Sequence, residues 1–246
     1  MNNISFNINK LMPLSAGLTS DAEWLYWAEN DHEWLMPTAT VPHDLIPPMA
    51  RRRMSQLSKM AVQSAIAISQ EQEVDYIIFS SRHGELTRTV QLLQDILAGH
   101  DASPTAFSQS VHNTAAGLYT ILTKQAIPVS SLSAGENTFP SALIEANSYL
   151  AQHPSHQVLV VDFDQPVPDI YRSFTQETFH GYAVAMLLTQ GADFQLSWTA
   201  NRSEQVQYPL PHALTLVSHL QLNDSQWSIN SQRNQWNWRV ASGEKK

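Results

Sequence analysis

Residues 130–140 have the sequence SSLSAGENTFP and join a strand-like segment to a segment with the pattern of an α-helix. We predict the strand over residues 127–131 and the helix over Thr138–Ala151. Ser133 and Glu136 have the S-x-x-E spacing of a capping box, with Ser133 as N-cap and Glu136 as the third helical residue. The stretch therefore predicts a strand, a turn and a helix, which is a building unit of α/β sheets.

Segments of the same two kinds alternate along most of the chain. Predicted strands cover residues 4–8, 74–79, 127–131, 158–163, 181–189 and 194–199, and predicted helices cover 21–30, 50–69, 86–97, 110–124 and 138–151. The run Val158–Phe163 is nearly all apolar, which is typical of a strand buried on both faces. Residues 4–8 alternate and predict an edge or half-buried strand. The order predicts an α/β fold with a parallel-rich mixed sheet and helices on both faces.

Composition excludes several classes of function. The net charge is −8, and the only basic run is Arg51-Arg52-Arg53, so neither nucleic acid nor an anionic membrane is expected as a partner. The chain has no cysteine, which excludes disulfides, a Cys-ligated zinc site and a thiol nucleophile. Residues 1–14 lack the pattern of a signal peptide, and no apolar stretch approaches the roughly 20 residues of a membrane span, so we expect a cytoplasmic protein.

A serine hydrolase is the main competing enzyme. Ser133-Ala134-Gly135 resembles the end of a nucleophile elbow, but residue 131 is serine where the elbow requires glycine. A triad would need further residues, and the available ones are Asp162 or Asp164 with His180 or His212.

Metal and cofactor sites are not expected. Asp162-Phe163-Asp164 could hold a divalent cation at the end of a strand, but polar turns are common at that place in any parallel sheet. His153 and His156 fall in a predicted loop and are expected to be solvated. The phosphate-binding motifs G-x-x-x-x-G-K-[ST] and G-x-G-x-x-G are both missing from the sequence.

Four segments, in this order, resemble the N-terminal half of β-ketoacyl-acyl-carrier-protein synthases. They are SSRHGEL at 80–86, FSQSVHNTAAG at 107–117, the turn at Glu136 with its helix, and VLVVDFD at 158–164. The resemblance spans roughly residues 45–200. The chain resembles above all the short chain-length-factor subunit of type II aryl-polyene polyketide synthases. It implies one half of a thiolase-like fold.

The resemblance also implies a loss of chemistry. Ketosynthases carry a nucleophilic cysteine where this chain has Glu136, and their C-terminal half supplies two histidines that have no counterpart here. We therefore expect no catalytic residue and no cofactor. We assign residues 1–204 to the half-thiolase domain and 205–246 to a C-terminal extension on the same domain. We expect Trp227, Trp236 and Trp238 of the extension to cover apolar surface that the missing half would cover.

The resemblance further implies a partner. We expect a heterodimer with a complete ketosynthase, alone or in a higher assembly, in which this chain helps to shape the acyl or polyene tunnel of fatty-acid-like or aryl-polyene biosynthesis. An acyl carrier protein would be reached only through the ketosynthase. The candidate interface and tunnel residues are Phe107, Gln109, His112, Asn113, Thr138 and Phe139. For each of them, plain interface packing is the alternative.

Two other functions stay open from the sequence. One is a hydrolase or acyltransferase that uses Ser133, and the other is a scaffold that binds an acyl carrier protein. The net charge of −8 disfavours the scaffold, because carrier proteins are usually acidic as well.

Overall fold

The computed structural model describes residues 2–175, 177–202 and 210–241. Its strands are β1 Asn2–Ser15, β2 Tyr76–Ser80, β3 Val129–Leu132, β4 Val158–Asp164, β5 Tyr182–Gln190, β6 Phe194–Ala200, β7 Gln226–Asn230 and β8 Asn234–Val240. Its helices are α1 Asp21–Glu29, α2 Pro48–Arg51, α3 Gln56–Ser69, α4 Leu86–Leu97, α5 Pro104–Ser108, α6 Thr114–Thr123, α7 Thr138–Gln152 and α8 His212–Gln221. Short 3₁₀ turns cover Gly135–Asn137 and Asp169–Phe174.

The strands form one eight-stranded sheet in the order β3-β2-β4-β5-β1-β6-β8-β7. This confirms the mixed α/β class. The balance of strand directions differs from the prediction, because β2 pairs in parallel with β3 and β4 while the other five pairings are antiparallel. The reason is that β1 lies between β5 and β6 instead of at an edge, and that β7 and β8 form a hairpin.

Helices cover the sheet on both faces, as predicted. One core joins α1, α7 and α8 to β1, β2, β4, β5 and the strands β6–β8. The other core joins α3 and α6 to β2, β4 and β5. This second core contains no buried side chain from β6, β7 or β8 among the described residues, so the two ends of the sheet are covered differently.

The predicted helix over residues 50–69 was wrong as a single element. Ser55 interrupts it, because its side chain accepts a hydrogen bond from the Ser58 N–H (2.8 Å) and starts α3 anew. The predicted helix over 110–124 is likewise shorter and begins at Thr114, after the separate helix α5. In the described residues, no helix combines the length and the apolar character that a membrane span requires.

The C-terminal residues are more regular than the sequence indicated. They form α8, β7 and β8, and the two strands extend the same sheet that contains β1 to β6. Trp227, Trp236 and Trp238 are all buried. The predicted boundary between residues 204 and 205 lies outside the described residues.

Candidate functional site

The turn between β3 and α7 does not form the predicted capping box. Asn137, not Ser133, is the N-cap of α7, and it makes no side-chain cap hydrogen bond. The Ser133 hydroxyl donates instead to the Arg82 carbonyl oxygen (3.1 Å). The cause is Gly135, whose φ of +61° inserts a 3₁₀ turn and places the N-cap of α7 four residues beyond Ser133. Thr138 holds this turn: its Oγ1 accepts from the Ala134 N–H (2.9 Å) and donates to the Gly135 carbonyl (2.6 Å).

The C-terminal hairpin is bound to the same turn. Glu136 is half-buried, and its Oε1 accepts a hydrogen bond from the Gln232 N–H (2.8 Å). Asn137 Oδ1 accepts from the indole N–H of Trp236 (2.9 Å). Sequence reasoning missed Gln232 and Trp236, because nothing in their local pattern indicates a contact so far along the chain. The turn therefore faces the chain's own C-terminal strands.

Little space is left behind this turn. The cavity there has a volume of about 20 Å³, room for about one water molecule. Its lining includes Glu136, Phe139, Asp162, Asp164, Tyr182 and His212. Such a cavity has no room for an acyl chain.

Two buried carboxylates lie under the turn, at the carboxyl end of β4. Asp162 accepts hydrogen bonds from the hydroxyls of Ser80 (2.6 Å) and Tyr182 (2.8 Å). Asp164 accepts from the Ser81 hydroxyl and from two backbone N–H groups, those of residues 82 and 83, at 2.6–3.1 Å. These bonds tie the end of β4 to β2, to β5 and to the turn after β2. The carboxylates thus act first as internal acceptors.

Burial shifts the protonation of this cluster. It raises the pKa of Asp162 to about 6, and burial together with the charge of Asp162 raises the pKa of Asp164 to about 8. Because the two groups interact, they titrate as a pair and retain a proton near neutral pH. Burial, assisted by the Arg82 charge, lowers the pKa of His83 and of His212 to about 4, so both imidazoles are neutral at pH 7.

The triad of a serine hydrolase is not assembled. The hydroxyl of Ser133 bonds to a carbonyl, and among the described residues it makes no hydrogen bond with a histidine. His212 Nε2 instead lies 3.3 Å from the Ser231 hydroxyl, and His180 is exposed and packs against Trp34 with ring centroids 5.1 Å apart and ring planes tilted by 57°. In the described part of the chain, no group of three or more His, Cys, Asp or Glu side chains could hold a metal ion.

The six predicted interface residues divide into a surface group and a buried group. Phe107 is 61% exposed, Asn113 is exposed, and Gln109 accepts a hydrogen bond from Arg88. Thr138 and Phe139 are only 4% and 3% exposed and lie in the chain's own interior.

His112 is fixed between two strand ends. Its Nε2 lies 2.8 Å from the Ser81 carbonyl and its Nδ1 lies 3.0 Å from the Ser131 hydroxyl. Because a carbonyl can only accept, Nε2 carries the proton. The ring is half-buried and bridges the ends of β2 and β3.

Further apolar side chains are exposed on α4, on α6 and on β3. Leu97 of α4 is 87% exposed, Ile121 of α6 is 71% exposed, and Val129 of β3 is also exposed. The predicted helix over residues 86–97 is confirmed as α4. The sequence could not indicate that Val90 is buried while Leu93 and Leu97 are exposed, because a helical periodicity does not say what packs against it.

The strand order 3-2-4-5-1, with an antiparallel fifth strand followed by the extension, defines a thiolase-like fold of the ketosynthase type. Residues 24–239 match the family model described as beta-ketoacyl synthase, N-terminal domain. The chain belongs to this family.

Solved structures agree with this assignment. The chain is 30% identical to a chain of the complex of a ketosynthase (ApeO) with its chain length factor (ApeC) from Xenorhabdus doucetiae, with a TM-score of 0.85 over 96% of this chain and 99% of that chain. The ishigamide ketosynthase/chain length factor has a TM-score of 0.69 at 10% identity, covering 98% of this chain and 99% of that chain. A type II polyketide synthase ketosynthase in complex with its acyl-carrier protein, AntDE:AntF, has a TM-score of 0.67 at 8% identity, covering 97% and 100%. The last two likenesses concern the fold alone. A search of curated proteins gave no match.

Proposed function

We propose that this chain is a non-catalytic, chain-length-factor-like subunit that pairs with a complete ketosynthase and helps to shape its acyl or polyene tunnel. The observation that carries the proposal is the contrast between a closed turn and an open edge. The turn at Glu136 encloses about 20 Å³ and is bound by the C-terminal hairpin. The elements at the β3 edge expose large apolar side chains.

The chemistry at the turn supports a non-catalytic role. A ketosynthase nucleophile is a thiolate, and a carboxylate at residue 136 cannot serve as a comparable acyl acceptor. The Glu136 carboxylate is engaged by the Gln232 N–H, which belongs to the turn between β7 and β8. An acyl chain would have to displace that hairpin before it could reach the cavity.

The β3 edge supports a partner of the same architecture. β3 is the last strand of the sheet and pairs with β2 on one side, so its other side offers backbone N–H and C=O groups to an added strand. α6 packs against β3 and exposes Ile121, which would be covered by a partner on this edge. In the proposed heterodimer the interface runs along residues 107–117 and the strand that follows, which is where the resemblance implies the dimer interface of ketosynthases.

The tunnel part of the proposal rests on the exposed side chains of this region. Phe107 and Asn113 are exposed, whereas His112 and Gln109 are held by hydrogen bonds within the chain. A growing chain stops where its tunnel has no room left, so the volume of a side chain such as Phe107 would set the product length. Thr138 and Phe139, being buried, would act only by supporting the turn.

The partner class follows from the 30% identical relative, whose structure is a ketosynthase with its chain length factor. We infer a ketosynthase of a fatty-acid-like or aryl-polyene pathway as the partner, with an acyl carrier protein reached through that ketosynthase, in the cytoplasm. The inferred heterodimer leaves the opposite edge of the sheet unused.

Co-purification with a candidate ketosynthase tests the proposal. We expect a 1:1 complex with the native chain. Ile121→Glu should weaken it by about 30-fold or more, the effect of losing a buried interface residue of about 2 kcal/mol. Leu222→Glu is the matched control. Leu222 is also an exposed aliphatic side chain, but it follows α8 at the other end of the sheet. A native chain that never binds the ketosynthase, or Ile121→Glu with unchanged affinity, contradicts the proposal.

A further inference from the structure

α5 is a short helix that the hydrophobic cores do not hold. It spans five residues, none of them is buried, and its Phe107 side chain is 61% exposed. Most helices are stabilised by packing an apolar face, so other contacts must fix the position of this one. α5 packs against α4, and the Thr89 hydroxyl of α4 donates to the Ser110 carbonyl just beyond α5 (3.0 Å). Polar contacts from α4 thus hold α5.

Arg88 of α4 makes a second such contact. Its Nη1 donates to Oε1 of Gln109, the C-cap of α5. Its Nη2 donates to the Arg53 carbonyl (3.2 Å), and its Nε lies 3.6 Å from Glu85 Oε2. A guanidinium is planar and rigid, so the contacts at Nε and Nη2 fix the direction in which Nη1 donates. Arg88 therefore holds Gln109, and with it the end of α5, in one place.

Glu85 anchors Arg88 to the interior. It is 3% exposed, and its Oε1 accepts from the hydroxyls of Ser55 (2.6 Å) and Ser58 (2.5 Å) at the start of α3. Its Oε2 is buried and accepts no hydrogen bond in the part of the chain that the structure describes. A buried carboxylate needs an opposite charge beside it, and the guanidinium of Arg88 supplies that charge. The position of Arg88 is thus set from α3, which belongs to one of the two cores.

We propose that Arg88 is a positioning residue that fixes Phe107 as the stop for the growing chain. The contacts run from α3 through Glu85 and Arg88 to Gln109, two residues beyond Phe107. This role rests on the proposed function, in which Phe107 lines the tunnel, and it adds the contacts that keep that side chain from moving aside. A buried ion pair contributes little net stability, so positioning accounts for the Glu85–Arg88 pair better than stability does.

The role predicts a particular change in the products. A stop limits chain length sharply only if it is held still, because a mobile side chain lets some chains grow past it and halts others early. Loss of the contact between Arg88 and Gln109 should therefore broaden the distribution of chain lengths about its native mean. Loss of the Phe107 side chain should shift the mean instead.

Two variants remove the contact in different ways. Gln109→Met removes the acceptor and leaves the Glu85–Arg88 pair intact. The double variant Glu85→Gln with Arg88→Met removes the guanidinium without leaving a buried charge alone. Gln109→Glu keeps an acceptor for Arg88 and is the conservative variant. Gln94→Met, at an exposed position of α4, is the matched control.

Hydrogen exchange of the chain alone measures whether α5 is held. The Phe107 N–H donates to the Ser103 carbonyl (2.9 Å) and the Ser110 N–H donates to the Phe107 carbonyl (3.1 Å), so both amides report the opening of α5. They should exchange about 10-fold faster in Gln109→Met and in the double variant, the effect of losing one hydrogen bond to a charged group. Gln109→Glu and Gln94→Met should keep the native rate.

Product analysis with the reconstituted ketosynthase complex measures whether the position matters. Gln109→Met and the double variant should broaden the distribution, and Gln109→Glu should keep it narrow. In a Phe107→Ala background, Gln109→Met should broaden nothing further, because no large side chain is left to hold. Damage to the fold would broaden the distribution in both backgrounds alike.

The two measurements together decide the role of Arg88. Native exchange rates in Gln109→Met, or faster exchange with a distribution as narrow as the native one, overturn it. Equal broadening with and without the Phe107 side chain also overturns it. If the Phe107 variants themselves leave the products unchanged in an intact complex, or if no complex forms, the proposed function fails and the role of Arg88 fails with it. That outcome is seen separately, because the exchange rates of the chain alone do not depend on the ketosynthase.

Discussion

The two ends of the sheet bury their strands in different ways. At one end β2 and β4 run parallel and contribute apolar side chains to both cores. At the other end β6, β8 and β7 run antiparallel and contribute to one core only. At the parallel end, the polar side chains Asp162 and Asp164 are buried. At the antiparallel end, the polar side chains are neutral and lie in rows on the solvent-facing side of the sheet. One sheet thus offers two edges with different chemistry.

The outer row of the antiparallel end shows the difference clearly. Asn3, Ser197, Asn237 and Ser228 are neighbours across four strands, and Ser228 donates to Asn237 Oδ1 at 2.8 Å. Antiparallel sheets tolerate such a solvated face, whereas parallel strands are usually covered on both. The strands β7 and β8 therefore need only one apolar face, and their tryptophan side chains supply it.

Trp238→Ala, at the antiparallel end, should cause the largest loss of stability. Trp238 is 3% exposed and packs against Phe6, Phe139 and Trp227, with ring centroids 5.4–6.4 Å apart. Removing a large buried aromatic costs about 3–5 kcal/mol, so the urea midpoint should fall markedly. We expect one cooperative transition, because β8 belongs to the same sheet as β1 to β6.

Phe79→Ala is the matched control for the parallel end, since Phe79 is also fully buried. Both variants should unfold in a single step. Two separate transitions in either variant would mean that the ends of the sheet are independent units.

Asp162→Asn, at the parallel end of the sheet, should make the free energy of unfolding less dependent on pH. The raised pKa values of Asp162 and Asp164, about 6 and about 8, contribute stability below about pH 4 that is lost as the pH rises through both values. The lowered pKa values of His83 and His212 act in the opposite sense, and their contribution is lost as the pH falls from 6.5 toward 4. Between pH 6.5 and 8.5, the two carboxylates and not the two histidines make the stability depend on pH.

We therefore expect the native chain to lose about 2 kcal/mol of unfolding free energy across that window. Asp162→Asn keeps the shape and removes one charge, although its amide oxygen can accept from only one of the Ser80 and Tyr182 hydroxyls, and it should reduce the loss by about 1 kcal/mol. Urea titrations at several pH values measure it, with the exposed Asp169→Asn as control. An identical slope in Asp162→Asn and the native chain would contradict the coupling of the two carboxyl groups.

Phe107→Ala should have the smallest effect on stability, within about 0.5 kcal/mol, because the side chain is 61% exposed. Its effect should instead be seen in the products of the reconstituted ketosynthase complex. Chromatography with mass spectrometry should find longer chains with Phe107→Ala and shorter ones with Phe107→Trp. Leu222→Ala, at the other end of the sheet, should leave the distribution unchanged. Equal distributions in all variants, with the complex intact, would remove Phe107 from the tunnel.

The sequence allowed the parallel end to be predicted better than the antiparallel end. The run Val158–Phe163 is nearly all apolar, and Leu86–Leu97 has a clear helical period, so β4 and α4 were found where they lie. In β7 and β8 the tryptophans alternate with Gln, Asn and Ser, and we predicted there a tryptophan-containing extension that packs on the domain but no strand. A period of two in a short segment is a weak signal without its pairing partner.

Around Glu136 the strand, the turn and the helix were predicted correctly, but the contacts of the turn were not. That Glu136 stands in place of a catalytic cysteine stays a prediction from the resemblance. The capping box was wrong because Gly135 adopts a left-handed conformation, which the spacing of Ser133 and Glu136 does not reveal. The contacts of Glu136 and Asn137 with Gln232 and Trp236 bridge 96 and 99 residues, and no local pattern indicates such distant partners.

Those two long-range contacts have a consequence for the order in which the protein is made. The turn at Glu136 leaves the ribosome about a hundred residues before the hairpin that binds it. β1 must likewise wait for β5 and β6, which pair with it on either side. Such distant pairings slow folding. The nascent chain therefore leaves this turn open while about a hundred further residues are made, and the last strands complete the sheet and close the turn together.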